Sequence, residues 1–172
     1  MIEILDSFSH SINSIFLYAF ILGFIGFILH ILNKSKISIK KKRISLGLIM
    51  VILLFFFGVT DLISTWIVQS RARVELRTFL NQPNLTVKKN GEIMDRINGN
   101  QILNELKSIR IVISHHSKTI RNIQLDIYSE IDTVKLTLRK DSDIETEYWV
   151  YWDKYHSTES SDFGRIKTNI LK

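Results

Sequence analysis

Cysteine is absent from the 172-residue sequence, and proline occurs once. Without cysteine the chain has no disulfide, no thiolate metal ligand and no thiol nucleophile. The sequence also lacks a Gly-x-Ser-x-Gly motif, a His-Glu-x-x-His motif and a glycine-rich phosphate loop. We therefore expect a protein that is not an enzyme and that carries no cofactor and no catalytic or structural metal.

Charged residues are almost missing from two long stretches near the N-terminus. Residues 12–32 contain no Lys, Arg, Asp or Glu, and residues 44–68 contain only Asp61. About 20 apolar residues are enough for a helix to cross a bilayer. Glu3 and Asp6 precede the first stretch without any basic residue, which is not typical of a cleaved signal peptide. The sequence predicts a short tail, 1–11, and then a hairpin of two transmembrane helices over 12–69.

The segment between the two apolar stretches, 33–43, is strongly basic. Short loops rich in Lys and Arg stay on the cytoplasmic side, and the tail before the first stretch has neither residue. Arg71, Arg73 and Arg77 follow the second stretch and count against this orientation. The segment could also bind anionic lipid, although fixing the topology explains it sufficiently. The basic residues of the loop are Lys34, Lys36, Lys40, Lys41, Lys42 and Arg43.

This balance of charge predicts a multi-pass protein of the cytoplasmic (inner) membrane with both termini outside the cytoplasm. In a Gram-negative cell the C-terminal domain would then be periplasmic. Membrane lipid is the first expected partner. Ala19, Gly23 and Gly26 place small residues along the first helix, which permits close packing against the second helix or against another copy of the chain.

Asp61 is the acidic residue inside the second apolar stretch. Acidic residues within a membrane are functional candidates, because burying a carboxylate in lipid is costly. At about 1.5 Å per residue, however, the distance from Ile44 brings Asp61 close to the far boundary of the bilayer. We favour a hydrated position at that boundary and keep a functional intramembrane acid as the alternative.

The remaining chain has the composition of an ordinary globular domain. After residue 70 there are 17 basic and 14 acidic residues, a mixed surface that does not indicate nucleic-acid binding. Helical spacing continues over 70–82 as a juxtamembrane helix, and the single proline, Pro83, follows it. Residues 83–172 are expected to form an extracytoplasmic α+β domain.

The pattern of the domain indicates antiparallel strands. Asn90-Gly91 between short apolar segments predicts a β-hairpin. Asn98 is expected to cap a helix over 100–108 with Ile102, Leu103 and Leu106 on its apolar face. The predicted architecture is an antiparallel β-meander with one packed helix. Alternating or aromatic segments predict its further strands around 109–113, 123–128, 134–139, 147–152 and 164–171.

Residues 147–152, Glu-Tyr-Trp-Val-Tyr-Trp, are aromatic on both faces of the predicted strand. Tyr148 and Trp152 point one way, and Trp149 and Tyr151 point the other. One set can fill the core, which leaves the other for a partner or for a covering loop. Because Tyr and Trp are enriched at interfaces, these four residues are the candidate partner-binding site. His115, His116 and His156 have no spacing typical of a metal site.

In layout, the two spans and the small following domain resemble small bacterial inner-membrane proteins that carry an extracytoplasmic binding domain. That class includes some immunity proteins against secreted toxins. The resemblance implies a non-catalytic protein-binding module, in an immunity or envelope-accessory role, with a protein partner at the outer face of the membrane. The alternative is an accessory subunit of a membrane complex that acts through its transmembrane helices, including homo-oligomerisation.

Overall fold

The computed structural model of the chain describes residues 2–34, 46–111 and 117–171. Contacts within the chain divide it into two units, Met1–Ile67 and Val68–Lys172. The described part of the first unit is helical, and the second unit contains a six-stranded antiparallel sheet with helices. The predicted fold class is confirmed at the level of a helical part and a part with an antiparallel sheet.

Two long helices, α1 (Ile2–Lys34) and α2 (Leu46–Leu80), form the first unit, and α2 continues into the second. Ser9 of α1 contacts Asp61 of α2, and Gly23 lies beside Leu54. The two helices therefore run alongside each other in opposite directions. A Cβ added at Gly23 would lie 3.2 Å from Leu54 Cδ1, so the small residue permits this close approach.

One helical segment among the described residues, Val51–Leu80, is long and apolar enough to cross a membrane. Of the two predicted transmembrane helices, only the second is matched by a helix that meets this criterion among the described residues. A span by α1 and the orientation of the termini stay predictions. Of the basic loop, Lys34 is the last residue of α1, whereas Lys36, Lys40, Lys41, Lys42 and Arg43 lie outside the described residues.

The last turns of α2 supply core residues to the second unit. Val68, Ala72, Leu76 and Leu80 recur at every fourth position, and all are at most 1% exposed. This spacing puts them on one face of the helix. The juxtamembrane helix predicted for 70–82 is helical through Leu80, and its apolar face is buried.

The sheet has the strand order β2-β1-β3-β4-β5-β6, and all neighbouring strands are antiparallel. Strands β3 to β6 form a meander, as predicted. The β1–β2 hairpin pairs with β3 at one edge, and its turn has Asn90 at φ 50° and Gly91 at φ 88°, as the Asn-Gly signal indicated. The strands are β1 Thr86–Lys89, β2 Glu92–Ile93, β3 Thr119–Tyr128, β4 Thr133–Asp141, β5 Glu147–Trp152 and β6 Gly164–Lys167.

Alternation along the central strands produces one apolar face. Ile123, Leu125 and Ile127 of β3 are buried and pair with the buried Leu138, Leu136 and Val134 of β4. This apolar face of the sheet packs into the core of the second unit, as the period of two predicted. We call the opposite face of the sheet the polar face.

The described residues of the second unit form two further helices, α3 (Arg96–Lys107) and α4 (His156–Glu159). The predicted apolar face of α3 is confirmed by the burial of Ile102, Leu103 and Leu106. The predicted cap is wrong: Asp95, not Asn98, is the N-cap, and its carboxylate accepts from the backbone N–H of Ile97 and of Asn98 at 3.0 Å. α4 and the end of α2 add to α3, so more than one helix accompanies the sheet.

The strand predicted around 109–113 is not formed in its described part. Arg110 alone makes an isolated bridge to Arg165, with N–H···O distances of 3.1 and 2.8 Å. Gly164 allows this approach, since a Cβ there would lie 2.7 Å from Ile109 Cγ1 and the residue has φ 157°. The final strand ends at Lys167 and not at Leu171.

Candidate functional site

The four aromatic residues of β5 have different environments. Tyr148 and Trp152 lie in register with Ile166 and Leu136 on the apolar face of the sheet, whereas Trp149 and Tyr151 lie on the polar face. Tyr148 is fully buried, and Tyr151 and Trp152 are each 5% exposed. Trp149 alone among them is partly exposed. A partner-binding role for these residues stays a prediction, with Trp149 as the accessible member.

Arginine side chains cover the two aromatic rings of β5 on the polar face. The guanidinium carbon of Arg139 lies 4.0 Å from the ring centroid of Tyr151, and that of Arg165 lies 4.1 Å from the ring of Trp149. Both geometries are cation–π contacts. Burial raises the pKa of the Tyr151 hydroxyl, so it remains protonated at neutral pH. The residues that cover this aromatic pair thus come from the chain itself.

Arg165 is the centre of a buried ionic cluster on the polar face. Its side chain is 1% exposed, and its Nη1 lies 2.9 Å from Glu147 Oε1 and 4.0 Å from Asp141 Oδ2. Asp162 approaches Arg165 Nε at 3.6 Å, and burial raises the pKa of Asp162. Buried ions are tolerated when they are paired and hydrogen-bonded, and Arg165 supplies the positive charge that these carboxylates need.

Asp141 is held by four hydrogen bonds. Ser117 Oγ donates to it at 2.7 Å, the indole Nε1 of Trp149 at 2.7 Å, and the backbone N–H groups of Asp143 and Ile144 at 2.8 and 3.0 Å. Burial opposes its ionisation, but these donors outweigh burial and hold the pKa of Asp141 well below its ordinary value. Asp141 therefore stays ionised and fixes the turn between β4 and β5.

These contacts give the cluster a structural character. Each of its carboxylates contacts a donor or a cation of the same chain, and no group of three or more His, Asp or Glu in the described ranges could hold a metal ion. His115 and His116 lie outside the described residues, and His156 lies in α4 beside Glu159. Of the four acidic residues between positions 141 and 147, Asp141 and Glu147 are buried, whereas Asp143 and Glu145 are exposed.

Described residues of the second unit line clefts, two of which lie beside α2 and α3. A cleft of about 520 Å³ lies between the end of α2 and the start of β4, where Glu75, Phe79, Val134 and Trp152 contribute to its lining. A smaller one of about 380 Å³ lies between α3 and β6, with Glu105, Arg110, Glu147 and Lys167 among its lining residues. Glu75 in the first cleft binds Lys154 and accepts from Tyr155 Oη at 2.6 Å.

Asp61 belongs to a polar contact between α1 and α2. Ser9 Oγ donates to Asp61 Oδ1 and lies 3.3 Å from Thr65 Oγ1. Asp6, Ser9 and Ser64 are each at most 5% exposed. These three polar side chains of the first unit are therefore shielded from solvent, while Phe55, Leu62 and many other large apolar side chains are exposed.

The three arginines after the apolar stretch have separate environments. Arg73 donates to Phe163 O at 2.5 Å and to Ser70 Oγ at 3.1 Å, and its residue is 7% exposed. Arg77 donates to the carbonyl oxygens of Lys107 and Ile109, both at 3.2 Å. Arg71 is exposed. Two of the three are therefore bound to carbonyl groups of the second unit.

The sequence-based interpretation missed the ionic cluster around Arg165. Its members are separated by up to 24 positions, from Asp141 to Arg165, and only the register of β4, β5 and β6 brings them together. The available signal was the period of two, which puts Glu147 and Trp149 on the same face of one strand.

No protein-family model, curated protein or solved structure matches the chain.

Proposed function

We propose that the chain is an integral membrane protein whose sheet-containing unit is a non-catalytic protein-binding module at the outer face of the cytoplasmic membrane. The observation that carries the membrane part is the distribution of polarity in the first unit. Ser9 and Ser64 are buried, whereas Phe55 and Leu62 are 73% and 71% exposed. Water-soluble helices have the reverse arrangement.

An apolar exterior of this extent is stable in lipid and unfavourable in water. Exposed apolar patches larger than a few hundred Å² are rare on soluble monomers. Large apolar side chains of α1 are also exposed, among them Phe20, Phe24 and Phe27. These residues support a second span by α1, which would make the protein multi-pass and put both ends of the hairpin on one side.

The orientation follows from the basic residues. Short loops rich in Lys and Arg remain cytoplasmic, which favours a cytoplasmic position for 33–43. Arg73 and Arg77 donate to carbonyl groups of the second unit, so their presence beside the span has a structural reason. Residues 68–172 would then be extracytoplasmic.

A binding role is supported by how the charged groups of the second unit are used. Arg165 forms ion pairs with Glu147 and Asp141 in a buried cluster, so the charges of these three residues are engaged within the chain. A toxin or an envelope protein would be the partner of such a tethered domain, which is the expectation from the layout of the chain. The sheet would supply the surface to which this partner binds.

Topology is tested with paired reporters. Alkaline phosphatase fused after Lys172 should be active, and green fluorescent protein at the same position should not fluoresce when exported through the general secretory route. Both reporters inserted after Lys36 should give the opposite result. Fluorescence after Lys172 together with inactive phosphatase would refute the proposed orientation.

An accessory subunit that acts through its transmembrane helices is the second candidate, favoured by the large apolar exterior of α1 and α2. Replacing residues 12–67 by an unrelated two-span hairpin, while keeping the buried face of 68–80, separates the two. A tethered binding module keeps its biological activity after this replacement. Loss of activity with normal level and topology would favour the subunit.

A further inference from the structure

We propose that the polar face of the sheet is the docking surface and that its partner is an acidic protein surface. This inference rests on the proposed binding function and names the chemistry of the partner. It concerns the part of the face formed by β1, β3 and β4. The side chains that carry it are Lys88, Lys135 and Arg139, with Tyr128 and Trp149 beside them.

The register places these side chains on one surface. Lys88 of β1 pairs with Asp126 of β3, and Asp126 pairs with Lys135 of β4. Further along β4, on the same face as Lys135, Arg139 pairs with Trp149 of β5. Val87, Ile127 and Val134 pair with one another on the other face of the sheet, where they are buried in the core. Lys88, Asp126, Lys135, Arg139 and Trp149 therefore all lie on the polar face.

On the polar face the acidic residues are mostly buried, whereas the basic residues that carry the proposal are accessible to solvent. The acidic residues Asp141, at the end of β4, and Glu147, at the start of β5, are buried and compensated by Arg165 and by hydrogen-bond donors. Lys88 and Arg139 are partly exposed and Lys135 is exposed, whereas Asp126 is the acid beside them in the register. Among these four residues three cations accompany one acid, so their summed charge is positive, which complements an acidic partner.

The accessible aromatic rings lie among these cations. Lys88 Nζ lies 4.8 Å from the ring centroid of Tyr128, and Trp149 is partly exposed beside Arg139 in the register. Aromatic and arginine side chains are the residues that most often carry binding energy at protein interfaces. A sheet surface that carries lysines and a hydrogen-bonded indole suits a protein surface with exposed carboxylates.

The test uses the full chain in nanodiscs of zwitterionic lipid and a short glutamate-rich peptide as the probe. A peptide with glutamine in place of glutamate is its neutral control. The face variant is Lys88→Glu with Lys135→Glu. The matched control is Arg96→Glu with Arg121→Glu, which reverses the same charge at exposed positions away from the polar face.

The wild-type chain and the control variant should bind the acidic peptide at low salt, with affinity falling as salt is raised. The face variant should bind it about tenfold more weakly or not at all, measured well below its melting temperature, which should fall because both new glutamates lie beside Asp126. Equal binding by the face and control variants overturns the proposal, as does failure of the wild type to bind. Vesicles rich in phosphatidylglycerol, or heparin, are parallel probes, and preferential binding of either at this face would also overturn it.

The reporter fusions fail or succeed independently of this result. Correct topology with no peptide binding removes the acidic partner and leaves the tethered binding module intact. A cytoplasmic C-terminus with peptide binding intact removes the proposed location and leaves the docking surface.

Discussion

The two parts of α2 differ in where their apolar side chains lie. Before Ile67, Phe55, Leu62 and Ile63 are more than half exposed, whereas Leu76 and Leu80 after it are buried. Apolar residues occur around the whole circumference of the first part but recur every fourth position in the second. The periodicity of apolar residues, rather than their number, distinguishes a surface suited to lipid from one that packs into a protein core.

The largest effect expected from this comparison is at Leu76. Leu76→Ala removes a fully buried side chain, and deletions of this kind cost about 2–5 kcal/mol of unfolding free energy. Leu62→Ala is the matched change in the same helix, and we expect it to leave the unfolding of the second unit unchanged. Thermal unfolding of the full chain in detergent micelles, followed by tryptophan fluorescence, measures both. Equal shifts for the two variants would remove the distinction.

Introducing a lysine at an exposed apolar residue of each unit tests whether only the first unit contacts lipid. Phe55 and Ile97 are 73% and 80% exposed. Phe55→Lys should impair membrane insertion, because a lysine at the centre of a span costs about 2.5–3.5 kcal/mol. Ile97→Lys, in the sheet-containing unit, should have no effect on insertion. The readout is the fraction of protein that resists alkaline extraction from membranes. Unimpaired insertion of the Phe55 variant would contradict a span at this position.

Asp141, a buried acidic residue of the second unit, should make the stability of that unit depend on pH. The folded-state pKa of Asp141 is lowered from its ordinary value of 3.8. Its contribution is therefore complete above that value and is lost as the pH falls towards the folded-state pKa. Asp141→Asn should cost about 1–3 kcal/mol at neutral pH and should flatten the acid limb of the stability profile. Asp143→Asn, at an exposed acid of the same turn, should change neither; an unchanged acid limb in the Asp141 variant would contradict the assignment.

The smallest effect is expected at Asp61 of the first unit. Asp61→Asn keeps a hydrogen-bond acceptor for Ser9, and polar contacts between membrane helices are worth about 0.6 kcal/mol on average. Insertion, topology and protein level should therefore remain unchanged. Biological activity in the same cells is the decisive readout. Its loss with normal topology would show that Asp61 is a functional acid and not a hydrated residue near the boundary.

Strong periodic patterns allowed much of the sheet to be predicted. The alternation of Ile123, Leu125 and Ile127 gave the buried face of β3, and the aromatic segment 147–152 coincides with β5. Asn90-Gly91 gave the β1–β2 hairpin because few other residue pairs tolerate the positive φ of both turn positions. These signals are local, so they are visible without knowledge of the tertiary structure.

Features that depend on distant partners could not be predicted. Ile109, Ile111 and Ile113 alternate like a strand, yet the described part of that segment makes only the bridge between Arg110 and Arg165. α3 begins earlier than expected because Asp95 competes successfully with Asn98 as its cap. The surplus of aromatic residues in β5 indicated a surface, but Arg139 lies over one of these rings through a register that no local pattern reveals.

The burial of the last turns of α2 determines where a fragment of this protein can begin. Starting the chain at Asn84 would strip the second unit of Val68, Ala72, Leu76 and Leu80 and would uncover the side chains that they touch. Starting at Val68 retains this helix together with the hydrogen bonds from Arg73 and Arg77. Biochemical work on an excised, lipid-free piece therefore has to include sequence that a hydropathy plot would assign to the border of the bilayer.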